Sequence, residues 1–167
     1  KREVTAGGRT ALKLAHDAVE VGASYINQGA TTGDTQEMGA DLRWQISSAT
    51  ELKAEVAHSE SDDPSQTGRA DAYLADMAHV TERLGARAYV REQETGFGVG
   101  QQLSTEAGTR KVGVDGIYKI ADKWMVRGEA FQQDMLQTDA QRELVSAEVR
   151  RETADYTLGA GARHVAD

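Results

Sequence analysis

The stretch Met38-Gly39-Ala40-Asp41-Leu42-Arg43-Trp44-Gln45-Ile46 decides the fold. In an extended chain Met38, Ala40, Leu42, Trp44 and Ile46 point to one side and Gly39, Asp41, Arg43 and Gln45 to the other, because successive strand side chains alternate. A helix would scatter the same residues around its axis. The spacing therefore predicts a strand with one apolar face and one polar, charged face.

Outward from this segment the same split recurs in runs of about ten residues, the spacing of membrane-barrel strands. Val19, Val21, Ala23 and Tyr25 oppose Glu20, Gly22 and Ser24, and Leu52, Ala54 and Val56 oppose Lys53 and Glu55. Leu84, Ala86, Ala88 and Val90 oppose Arg87, Tyr89 and Arg91, and Val112, Val114, Tyr118 and Ile120 oppose Lys111, Asp115 and Lys119. Trp124, Val126 and Ala130 then oppose Arg127 and Glu129, Val145 and Val149 oppose Glu148 and Arg150, and Leu158, Ala160 and Ala162 oppose Arg163. Short turns at His16-Asp17, 47–50, 81–83, 121–123 and 153–155 interleave with longer polar loops at 29–34, 62–69, 95–109 and 137–141. That is the rhythm of an up-and-down barrel, short turns at one rim and long loops at the other. The segments Gly39–Ile46 (GADLRWQI) and Gly113–Ile120 (GVDGIYKI) share Gly-x-Asp-x-x-aromatic-x-Ile, a repeat that puts Trp44 and Tyr118 at equivalent depths beside a short turn. With Trp124 and Tyr156 they predict an aromatic girdle at that rim.

Composition narrows the classes. The 167 residues contain no cysteine and one proline, which leaves no disulfide framework and no thiolate metal site. Aromatics at 5% make a thin core for a soluble protein, and a formal charge of −8 argues against a phosphate-binding surface and so against nucleic acid. No run approaches the roughly 18 apolar residues of a membrane helix, so a membrane crossing requires a closed barrel, the only sheet that leaves no backbone group unpaired in lipid. The segment 70–81 also fits a helical stripe through Tyr73, Met77, Val80 and Leu84. The strand reading is preferred because the chain carries 17 glycines, each costing about 1 kcal/mol inside a helix.

These observations predict one all-β unit over residues 1–167: an antiparallel up-and-down transmembrane β-barrel of about ten strands, or a slice of a larger barrel. Ala40, Leu42, Val56, Ala88, Val114, Val126, Val149 and Ala160 are expected to face lipid. Asp41, Arg43, Glu55, Arg87, Arg91, Asp115, Arg127, Glu129, Glu148 and Arg163 are expected to line the lumen. If the short turns mark the periplasmic rim, both chain ends fall at the outer rim. The slice is then the expected form, with edge strands near Val4–Leu14 and Tyr156–Val165.

Catalytic and metal readings fare poorly. His16, His58, His79 and His164 sit near the ends of different strands without ligand spacing, and read as rim residues. Glu60, Asp62, Asp63 and Asp71 bracket Pro64 as an acidic loop tip, with loose calcium binding as the alternative. Gly96-Phe97-Gly98-Val99-Gly100 precedes no helix, so it reads as a flexible surface loop and not as a phosphate cradle. No enzyme and no cofactor are expected.

With the strands placed, AYVREQETGFGVGQQLSTEAGTRKVGVDGIYKI (residues 88–120) and the hairpin WMVRGEAFQQ (124–133) resemble the barrel-like regions of very large proteobacterial cell-surface proteins, autotransporter-like chains in which repeat domains accompany an outer-membrane β-barrel. The resemblance implies a bacterial outer-membrane location and a role as membrane anchor or passive pore and translocation domain. A soluble β-sheet module for adhesion or ligand binding is the alternative. The implied partners are outer-membrane lipid and further strands or domains of the parent protein, and no nucleic acid. The chain departs from such barrels in having few aromatics and in ending at Ala166-Asp167 instead of on a terminal aromatic.

Overall fold

The computed structural model describes residues 4–29, 33–62, 68–98 and 106–167. Every regular element among them is a strand: β1 (Val4–Leu14), β2 (Val19–Gly29), β3 (Asp34–Ser47), β4 (Thr50–Ser61), β5 (Arg69–Val80), β6 (Leu84–Gln93), β7 (Thr109–Ala121), β8 (Trp124–Met135), β9 (Gln141–Glu152) and β10 (Thr157–Ala166). They form one sheet in chain order, each strand antiparallel to the next. The fold is all-β and up-and-down. The ambiguous segment 70–81 is strand β5, held by ladders to β4 on one side and β6 on the other, and this two-sided pairing overrides its helical stripe.

The repeat seen in the sequence is also a repeat in backbone geometry. The β3–β4 register shifts between Gln45 and Ser47, and the β7–β8 register between Lys119 and Ala121. Ile46 and Ile120 are thus the extra residues of two equivalent bulges, each beside a short turn, where a bulge sharpens the local twist. The first turn is built differently: Ala15, His16 and Asp17 all take left-handed φ, at 51°, 56° and 67°.

The strands at the two ends of the order remain edges. β1 pairs with β2 and β10 with β9, and no ladder joins β1 to β10 among the described residues. Of the two expected architectures, the sheet is the open one.

Nothing packs over the apolar face among the described residues. Val114 is 53% exposed, Val145 57% and Leu158 61%. The strand residues that are buried, namely Gly22, Thr35, Ala57, Ser59, Ala70, Thr109, Gly113 and Leu144, all lie on the charged face by register. A single-layer sheet shields one face only by curling toward it, so the charged face is concave and the apolar face convex.

Candidate functional site

The register gathers the charged residues into transverse rows on the concave face. One row runs Gly22, Asp41, Glu55, Leu74, Arg91 and Lys111 from β2 to β7. The next, toward the short turns, runs Glu20, Arg43, Lys53, Asp76, Tyr89, Gly113, Phe131 and Leu144 from β2 to β9. Beyond it come Arg87, Asp115, Glu129, Ser146 and Arg163 on β6 to β10, then Arg127 and Glu148. All ten residues singled out from the sequence as lumen candidates share this face, and Ala40, Leu42, Val56, Ala88, Val114, Val126, Val149 and Ala160 share the other.

Ion pairs run across and along the strands of the concave face. Arg87 meets Asp76 at 2.5 Å and Arg43 meets Glu51 at 2.5 Å between neighbouring strands, while Lys53 meets the same Glu51 at 3.0 Å within β4 and Arg150 meets Glu148 at 3.0 Å within β9. Arg9 of β1 reaches past β2 to Asp41 on β3 at 2.6 Å and touches Glu20 at 3.3 Å. Gly22 makes that reach possible: a Cβ there would stand 2.5 Å from Asp41 Oδ1 and 2.6 Å from Arg9 Nη2. Arg9 was not singled out from the sequence, because β1 alternates weakly between small residues and its partner is two strands away. Asp76 is only 14% exposed in its side chain while Arg87 is 39% exposed, so water discounts the pair. Asp76→Asn is expected to lower unfolding stability by about 1 kcal/mol, read as a small shift in the denaturant midpoint. No change on Asp76→Asn would show that the pair is fully solvated.

The glycine-rich loop corrects an expectation. Gly96, Phe97 and Gly98 do not project as a surface loop, for Gly98 is buried and its N–H donates to Ser59 Oγ on β4 at 3.3 Å. Positive φ at Gly96 (85°) and Gly98 (110°) lets the chain double back, and the small side chains of Ala57, Ser59, Ala70 and Ala72 leave room for it. Val99 and Gly100 lie outside the described residues, as do Asp63 and Pro64 of the acidic loop. A cavity of about 380 Å³ is lined by Glu37, Glu55, Leu74, Arg91, Phe97, Glu106 and Lys111, and within it Arg91 meets Glu106 at 3.6 Å. Another, of about 400 Å³, lies between Arg127, Glu148 and Arg163 on β8 to β10.

On the convex face an apolar belt is bounded at both rims. Near the short turns stand Trp44, Tyr118, Trp124 and Tyr156, all between 43% and 47% exposed. Arg151 lies 5.6 Å from the Trp124 ring and 5.7 Å from that of Tyr156, its guanidinium over the rings. At the loop rim the convex face turns polar, with ion pairs His58–Asp71 (2.6 Å), Arg69–Glu60 (3.0 Å) and Arg110–Glu92 (2.6 Å). His79 binds Thr50 Oγ1 at 2.8 Å beside a short turn. Between the rims run three or four outward positions per strand, for example Val112, Val114, Gly116 and Tyr118, a band about 20 Å long at roughly 3.3 Å per residue. Among the described residues no helix is long and apolar enough to cross a membrane, and no three His, Asp or Glu side chains group as metal ligands.

Comparison of the sequence with protein families and with curated proteins finds no match. Among solved structures, the crystal structure of a Pseudomonas aeruginosa FadL homologue is similar to this chain at 14% sequence identity and a TM-score of 0.46. The alignment covers 98% of this chain and 59% of that one, so the chain spans less than two thirds of the length of the structure it matches.

Proposed function

We propose that the chain forms the wall of a bacterial outer-membrane β-barrel, its convex face against lipid and its concave face toward a water-filled lumen. It serves there as a passive pore or as the membrane anchor and translocation domain of a surface protein. The observation that carries this reading is the inversion of the sheet: residues shielded within it are beside charges, and residues exposed by it are apolar. A soluble protein does not keep a contiguous apolar face beyond a few hundred Å² in water, whereas a barrel wall in lipid must.

Several consequences belong to the same proposal. Asp41, Arg43, Glu55, Arg87, Arg91, Asp115, Arg127, Glu129, Glu148 and Arg163 line the lumen, where ion pairing between strands keeps both signs in place. The partners are outer-membrane lipid and, at the edges of β1 and β10, further strands of the parent protein, since lipid satisfies no open backbone edge. The residues act by shape and charge, without catalysis and without a cofactor.

The test is detergent dependence followed by conductance. The protein is expected to stay monodisperse only in detergent or lipid, and to give stepwise currents in planar bilayers. A monodisperse, folded protein in plain buffer would overturn the proposal and favour a soluble adhesion or binding module. Insertion without current would select the anchor over the pore.

A further inference from the structure

We infer that Arg151, with the rings of Trp124 and Tyr156, forms a binding site for the phosphate of an anionic phospholipid headgroup at the short-turn rim of the convex face. Register sets Arg151 between Trp124 of β8 and Leu158 of β10, two residues from Val149 on the same face. At the level of the aromatic girdle it is the one formal charge on the convex face among the described strand residues. Asp122 and Asp155 belong to the adjoining short turns and Glu152 to the concave face, and none of the three forms an ion pair with Arg151. Its Nε is buried without a hydrogen-bond partner. What the guanidinium does meet is two rings, Trp124 at 5.6 Å and Tyr156 at 5.7 Å.

A guanidinium keeps its charge at every physiological pH, and a charge on an apolar surface is costly until it is paired. The rings attract only its faces. Its N–H edge has no acceptor among the described residues, and that planar edge matches two oxygens of a phosphate. Because the rings already hold the plane, little side-chain freedom is lost on binding. The inference rests on the lipid-facing reading above, under which aromatic girdles lie at the headgroup level, so the anion available at this depth is a headgroup phosphate. A zwitterionic headgroup offers a phosphate offset by its own ammonium, so a headgroup with net negative charge is preferred. Trp44 supplies the contrast within the same girdle. It is 44% exposed against 43% for Trp124, yet its neighbours by register are Val19 and Leu52 and it has no cation over its ring.

The experiment is quenching of a single tryptophan by brominated lipids, with the whole chain reconstituted in phosphatidylcholine vesicles. The chain has two tryptophans, so Trp44→Phe reports from Trp124 and Trp124→Phe reports from Trp44. At Trp124, brominated phosphatidylglycerol is expected to quench as though enriched about fivefold over brominated phosphatidylcholine. At Trp44 the two lipids are expected to quench alike. Arg151→Gln in the Trp44→Phe chain is expected to equalise them at Trp124, while quenching by brominated phosphatidylcholine persists and separates a lost site from a lost fold. Inorganic phosphate replacing chloride at equal ionic strength is expected to leave the enrichment in place. Equal quenching at Trp124 before the substitution, the same enrichment at Trp44, enrichment that survives Arg151→Gln, or displacement by inorganic phosphate would overturn the inference. A chain that does not insert refutes the lipid-facing reading along with it, whereas a chain that inserts and shows equal quenching refutes this inference alone.

Discussion

Val114→Arg is expected to block insertion into lipid. Val114 sits in mid-belt on the convex face, paired with Ala88 on one side and Ala130 on the other, and is 53% exposed. A lipid-facing arginine at the bilayer midplane costs roughly 2 to 4 kcal/mol, which is about 30- to 1,000-fold in the insertion equilibrium. Position along the strand tunes the penalty. Val126 pairs with Tyr118 and Val149 and is the next outward position from Trp124, so Val126→Arg lies nearer the interface and its cost falls toward roughly 0 to 1 kcal/mol. On the concave face Asp115→Arg should insert as the parent does, since the new charge meets water. Refolding yield into vesicles, read by the gel shift of the folded form, orders the three variants. Normal insertion of Val114→Arg, or failure of Asp115→Arg alone, contradicts the assignment of faces.

Gly113→Val is expected to cost about 1 to 3 kcal/mol, the range for overpacking a filled site. Tyr89 lies over this glycine: a Cβ at 113 would stand 2.6 Å from the Tyr89 hydroxyl oxygen and 2.9 Å from Phe131 Cβ. The aromatic covers the gap that the glycine leaves in the ladder, a device that pins strand register. Three cations hold it there, the Arg87 and Arg91 guanidiniums 5.2 and 5.1 Å from the ring centre and the Lys111 ammonium 5.9 Å away. Removing the ring relieves the clash, so the Tyr89→Ala, Gly113→Val double variant should lose at least 0.5 kcal/mol less than the sum of the single variants. Urea unfolding in vesicles measures all three. Strict additivity would show that the ring does not occupy this site.

The faces of the sheet were legible because period-two alternation is a local property. Trp44, Leu42 and Ala40 announce their side of β3 whatever lies beside them, and β5, whose own faces are mixed, was read as a strand only because glycine abundance disfavours helix in this chain. The repeat marked the two hairpins as equivalent, but the bulges at Ile46 and Ile120 appear only in the register. What remained hidden needed register. No local pattern says that Arg9 passes over Gly22 to Asp41, since the gap, the donor and the acceptor belong to three different strands. The row that places Glu55 and Arg91 on either side of Leu74 likewise exists only across β4, β5 and β6. The inward fold of Phe97 was misread because a polar, glycine-rich loop has the same composition whether it faces solvent or folds onto a floor of alanines. The open edges at β1 and β10 were expected from the turn count alone, since the backbone groups that would pair them are the same in every sequence.

The central claim is that the convex apolar face meets lipid and the concave charged face meets water. Single nitroxide labels at 112, 114, 128 and 130 on one face and at 111, 115, 127 and 129 on the other test it directly, by collision with oxygen and with a water-soluble nickel chelate in reconstituted vesicles. Oxygen accessibility is predicted to be high and nickel accessibility low at the even positions, with the pattern inverted at the odd ones and a period of two along β7 and β8. Nickel accessibility at both sets, or lipid exposure at 115 and 127, would contradict the account.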